Sequence, residues 1–139
     1  MANAIYPLYK QALLAGTSGY DLDVNDTTDG PYVALHDADD VGYNSAHDFY
    51  NDVVAGEVGT PQNIENPTVA LGVFDGDDVT FTAVTGDVVE ALIIYRHNSG
   101  ANTTWPLAAY IDTSVTGLPV TPNGGDITVA WNASGIFAL

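Results

Sequence analysis

Oxygen ligands set at alternate positions are the chemistry most visible in this chain. Asp21, Asp23, Asn25, Asp26 and Asp29 crowd together ahead of Gly30. Hard carboxylate and carboxamide oxygens at that spacing suit Ca²⁺. The metal candidates are therefore Asp21, Asp23, Asp26 and Asp29. They do not make an EF-hand loop: counted from Asp21, Asp26 stands where the glycine belongs and Tyr32 where the bidentate glutamate belongs. Two further runs, Asp37-Ala38-Asp39-Asp40 and Asp75-Gly76-Asp77-Asp78, offer oxygens of the same kind. A solvated acidic loop is the commoner meaning of each run. The sequence thus assigns no cofactor, and Ca²⁺ is the one ion it admits.

Other site chemistry is thin. His36, His47 and His97 show neither an i,i+4 pair nor the H-E-x-x-H spacing of a zinc helix. Ser45, His47 and Asp48 carry the letters of a catalytic triad. Triad members converge from separate elements, however, and neighbours on one short helix do not face one another. No G-x-S-x-G elbow occurs, and Asn123-Gly124-Gly125-Asp126 lacks the lysine of a phosphate loop. The expectation is a chain with no catalytic residues, hence not an enzyme. Its aromatic residues fit core packing better than a carbohydrate platform.

Charge narrows the partners. Eighteen carboxylates face two basic side chains, Lys10 and Arg96, giving a formal charge of −16 over 139 residues. Nucleic-acid binding depends on Lys and Arg displacing counterions from phosphates, so no nucleic acid is expected as a partner. Anionic lipid surfaces are disfavoured on the same ground, and no apolar run approaches the roughly 18 residues of a membrane span. No basic segment followed by an apolar stretch marks the N-terminus as a secretory leader. With 46% hydrophobic residues and no cysteine, the expectation is a folded domain without disulfides or thiolate metal sites.

The elements that would position such residues are mostly short strands. Asp21–Val24, Tyr32–His36, Val79–Ala83, Leu107–Ile111 and Ile127–Trp131 alternate or cluster apolar residues as strands do. Val88–Tyr95 is nearly all apolar and reads as a central strand covered on both sides. Ile136–Leu139 makes a short apolar finish. Turn residues at 75–77, 85–87, 98–100 and 123–125 separate these runs. The pattern predicts a mainly β fold, an antiparallel sandwich or jelly-roll-like barrel. Two helices are expected besides: an N-terminal arm after Pro7 ending near Gly16, and a short helix near 45–53 capped by Ser45. The stretch from Gly56 to Pro67, with two prolines, reads as a loop. The expected organisation is one domain over 1–139, divided into an arm (1–16) and a β-domain (20–139). The expected core includes Phe74, Phe81, Leu92, Ile94, Ile111, Val129 and Trp131. The apolar arm is expected to contact another subunit through Ile5, Tyr6, Leu8, Leu13 and Leu14.

A resemblance adds to this. The opening Asn3-Ala4-Ile5-Tyr6-Pro7-Leu8-Tyr9-Lys10-Gln11-Ala12-Leu13-Leu14 is similar to the start of small structural proteins of tailed double-stranded DNA bacteriophages. The likeness continues through Tyr43-Asn44-Ser45-Ala46-His47-Asp48-Phe49 and the run from Gly72 to Phe81. It resumes at Glu90–Tyr95 and at Thr116–Ile127. The resemblance implies a virion component and brings no catalytic or ligand residues with it. Combined with the charge, which penalises contact with packaged DNA, it points to the outer surface of the head. The expected role is a capsid cement (decoration) protein that forms a homotrimer and has the major capsid protein and itself as partners. A tail, baseplate or head-fibre adaptor is the alternative. A Ca²⁺- or glycan-binding attachment module is a third reading.

Overall fold

The structure is a computed structural model that describes residues 3–113 and 115–139. Among the described residues, ten strands form three antiparallel sheets. The largest has the order β1 (Ala4–Ile5), β8 (Leu107–Ile111), β7 (Ala91–His97), β2 (Gly30–His36), β3 (Glu57–Asn63). A second joins β10 (Phe137–Ala138), β5 (Val73–Asp75) and β4 (Thr68–Ala70), and a third pairs β6 (Val79–Phe81) with β9 (Ile127–Val129). Side chains from all three sheets enter one buried cluster, among them Leu92, Phe74, Phe81 and Val129. The fold class is the mainly β, antiparallel one that the alternation predicts.

β7 lies in the middle of the large sheet, and its first six residues are buried on both faces. That burial is why its sequence reads as a continuous apolar run rather than an alternation. Six expected core residues, Phe74, Phe81, Leu92, Ile94, Ile111 and Val129, are buried. Trp131 sits at the margin instead, because its indole Nε1 donates to the Asp77 carbonyl at 2.9 Å. Tyr50 and Tyr95 stack at 4.1 Å between ring centroids, and both are buried, so these aromatics serve packing.

The N-terminal helix α1 (Pro7–Leu14) starts on a proline and ends as the sequence predicts. Gly16 adopts φ +67, its N–H donates to Leu13 O, and Thr17 N–H donates to Ala12 O. This is the Schellman arrangement, which needs a left-handed residue after the last turn. Tyr9 and Ala12 form the buried face of the helix.

Several expectations change. Asp21–Val24 forms no strand: Leu22 is buried and its acidic neighbours exposed, but the segment has no strand partner and is held by Arg96 instead. The expected helix near 45–53 is replaced by two 3₁₀ turns, Tyr50–Asp52 and Val54–Gly56. Asn44 Oδ1 accepts from Ala46 N–H and a bridge joins Phe49 to Pro106, which diverts the chain before a helix can propagate from Ser45. The stretch expected as a loop contains β3. Its prolines are tolerated because β3 is an edge strand and is irregular: Val33 pairs with Gln62 and Leu35 with Val58, leaving Gly59, Thr60 and Pro61 opposite Ala34. Gly59 takes φ +70 there.

Candidate subunit-contact face

The loop acids do not form the metal site their spacing suggests. Among the described residues, no three of Asp21, Asp23, Asp26 and Asp29 bring carboxylate oxygens within 4.8 Å of one another. Arg96 explains much of this. Its guanidinium, nearly buried at the end of β7, donates from Nη2 to Asp21 Oδ1 at 3.2 Å and lies 3.8 Å from Asp29 Oδ1. Asp26 turns inward on its own loop, accepting from Thr28 N–H at 2.6 Å and Asp29 N–H at 3.0 Å. Those two bonds, that from Asp29 first, hold its carboxyl below the usual range.

The histidines also stay apart. His36 is buried on β2 with Nε2 2.6 Å from Val41 O, and burial lowers its pKa. His97 ends β7 with Nδ1 2.5 Å from Thr28 O, while His47 lies in the loop after β2. None of the three joins a group of metal-ligating atoms among the described residues. Asp48, beside the triad letters, meets Asp52 rather than His47: its N–H donates to Asp52 Oδ2 at 3.0 Å. Burial, with the Asp52 carboxyl next, raises the Asp48 pKa.

One acidic group does converge. Oxygens of Asp37, Asp40 and Asp87 lie within 4.8 Å of one another, as do those of Asp37, Asp39 and Glu90. Asp37 Oδ1 accepts from Asp39 N–H at 2.9 Å, and Glu90 Oε2 from Ala38 N–H at 2.8 Å. The run Asp37–Asp40 was legible in the sequence. Asp87 and Glu90 arrive from the segment leading into β7, about fifty residues away, and no spacing rule could have joined them. These are the residues that could hold a divalent cation.

The N-terminal arm is part of the fold. β1 pairs Ala4 with Tyr110 and Ile5 with Ala109, and Tyr6 N–H donates to Ala108 O at 3.0 Å. Tyr6 is 0% exposed, so it belongs to this chain's own core and is unavailable to another subunit. Ile5 is half-buried. The other expected contacts reach the surface: Leu8 is 38% and Leu14 91% exposed, with Leu13 between them at the margin of the core. Three apolar residues that sequence reasoning missed join them, Val69 (53%), Leu71 (104%) and Leu139 (66%). Nothing local in the sequence announces these, because β4, β5 and β10 are too short for a pattern to register.

Leu8 lines a groove that includes Asp48, whereas Leu13, Val69 and Leu139, with Ile5, line two adjoining ones. A groove of about 240 Å³ runs between α1 and the C-terminal strand, lined by Tyr9, Leu13, Leu22, Val69, Gly72, Phe74, Phe137 and Leu139. A wider cleft of about 590 Å³ adjoins it across Phe137, lined by side chains including Ile5, Lys10, Tyr43 and Ile136. No Asp or Glu lines either. The sequence accounts for this, since residues 1–20 and 127–139 contain none of the eighteen carboxylates. Among the described residues Lys10 has no ion-pair partner. An acidic domain thus carries one region whose two grooves are lined by no Asp or Glu side chain, and the groove between α1 and β10 is almost wholly apolar. No protein-family model and no curated protein matches this chain.

Proposed function

We propose that this chain is a non-enzymatic structural protein of a tailed-phage virion, a capsid cement protein bound as a homotrimer to the outside of the head. The apolar groove between α1 and β10, lined by no Asp or Glu side chain, carries the reading. Like-charged copies meet at least cost where contact hides no acidic side chain, and the groove framed by α1, the β4–β5 turn and β10 has none in its lining. The likeness of Asn3–Leu14 and the later segments to phage structural proteins supplies the virion. The remaining surface, rich in carboxylates, suits the exterior of a particle and keeps particles apart. Cyclic symmetry would let one patch and its complement close without leaving an open edge.

Cryo-electron microscopy of purified virions tests the site: density at symmetry points of the head supports the reading, and density confined to the tail would sink it. The trimer is tested by light scattering across a salt series. Screening should strengthen association between like-charged copies, unlike a complex held by opposite charges.

The convergence of Asp37, Asp39, Asp40, Asp87 and Glu90 favours a second reading, a Ca²⁺-dependent attachment module. A calcium titration followed by calorimetry, with glycan-array binding, separates it from the first.

A further inference from the structure

The exposed residue with the least local reason for its place is Leu71. It occupies the first position of the two-residue turn joining β4 to β5, with φ +52, followed by Gly72 at φ +80. Positive φ at both positions belongs to hairpin turns that favour Asn-Gly or Gly-Gly. A leucine there is strained, and its side chain is wholly in water at 104% exposure. The turn is held firmly nonetheless: Leu139 N–H donates to Gly72 O at 2.9 Å, and Ala138 pairs with Val73. The fold therefore presents an apolar side chain outward on a fixed support.

Beside this projection lies a matching recess. The groove between α1 and β10 has a volume of about 240 Å³ and is almost wholly apolar, with no Asp or Glu side chain in its lining. Projection and recess occur on the same chain, so two copies hold complementary parts. A chain of charge −16 is poorly suited to meet another through most of its surface, and this neutral region is where repulsion costs least. We propose that Leu71 of one copy seats in the α1–β10 groove of a second copy. The inference rests on the self-association in the reading above and says how the copies meet.

Sedimentation velocity over a concentration series tests it, using the full chain and two variants. Leu71→Asn removes the projection with a residue that accepts positive φ, and Leu139→Glu places a carboxylate at the rim of the recess. Both should keep the circular dichroism of the parent, and each should weaken association at least tenfold. An equimolar mixture should recover a mixed dimer, because one variant keeps the recess and the other the projection. A parent that stays monomeric throughout, or a Leu71→Asn chain that associates as the parent does, would overturn the contact. So would a mixture no tighter than either variant alone. Loss of head binding by Leu71→Asn with association intact would assign the projection to the capsid protein and also overturn it. Location in the virion is a separate measurement: a tail protein that associates through Leu71 would refute the cement reading and leave this contact standing.

Discussion

Arg96 and Asp21 are joined twice, across 75 residues of sequence. The arginine Nε donates to the Asp21 backbone carbonyl at 2.7 Å, and its Nη2 to the Asp21 carboxylate at 3.2 Å. A third bond runs from Nη1 to the His97 carbonyl at 2.8 Å. One of only two basic side chains is thus spent on fastening the 21–29 loop to the end of β7. Asp21 and Asp29 are half exposed, so solvent screens the ionic part and the carbonyl bonds matter more. Arg96→Met should cost about 2–3 kcal/mol in urea unfolding, and Arg96→Lys should recover little, since an ammonium cannot span the same fork. A loss below about 0.5 kcal/mol would show that the loop holds without it.

Leu92 and Ile94 are fully buried in the middle strand of the large sheet. Truncating either to alanine should cost about 2–5 kcal/mol, through lost transfer energy and the cavity left behind. Chemical denaturation with an unchanged m-value checks it; small losses at both would mean that the strand is less enclosed than its burial implies.

Removal of residues 2 to 14 should abolish cooperative unfolding. The arm looks separable in sequence, but Tyr6 and Tyr9 are buried, and β1 forms the edge of the large sheet. A truncated chain that melts as sharply as the parent would return the segment to the status of an appendage. Near-UV circular dichroism with a thermal melt decides.

Alkaline pH should destabilise the fold. Burial, first among the causes, pushes the Tyr6, Tyr9, Tyr50 and Tyr95 hydroxyls above the ordinary tyrosine range, and Tyr50 also donates to Glu57 Oε2 at 2.5 Å. A folded pKa above the unfolded value of about 10 means the folded chain holds those protons more tightly. Their contribution is full below about pH 10 and is lost as pH rises further. A urea midpoint that does not fall between about pH 9 and 11 would contradict this.

His36 should titrate in the opposite sense. Burial lowers its pKa, helped by His47, while the Val41 carbonyl, Asp37 and Asp40 oppose that shift. The neutral ring is favoured in the fold, so its contribution is present above about pH 6.5 and declines as pH falls below that value. An NMR titration of the ring should give a midpoint below the ordinary histidine value; one above it would refute the assignment.

How much of this was legible depends on where the determining partners lie. β7 and β9 declare themselves because burial on one or both faces imposes a pattern within a few residues. α1 is bounded by Pro7 and Gly16, each acting on its own backbone. The 21–24 segment shows the limit: its alternation is real in burial, yet a strand needs a neighbour, and Arg96 took that place. β3 was hidden by Gly59 and Pro61, which signal a loop unless the strand is known to be an irregular edge. Leu8 and Leu14, exposed on α1, lie on an arm whose apolar character is plain in the sequence. Tyr6 was misplaced because apolarity does not say whether a residue is buried by its own chain or by another. Leu71, Val69 and Leu139 owe their exposure to pairings among strands of two or three residues, which leave no trace in local sequence.

The irregular stretch Gly59-Thr60-Pro61 in β3 also has a consequence for what the chain cannot become. β3 is one border of the large sheet, and an unprotected border invites strands from other molecules to add without end. Here Pro61 withholds an N–H and the extra residues break the ladder's spacing. The opposite border, β1, is only two residues long. Neither rim of the large sheet is a template for fibre growth, so the chain can be concentrated without polymerising through its principal sheet.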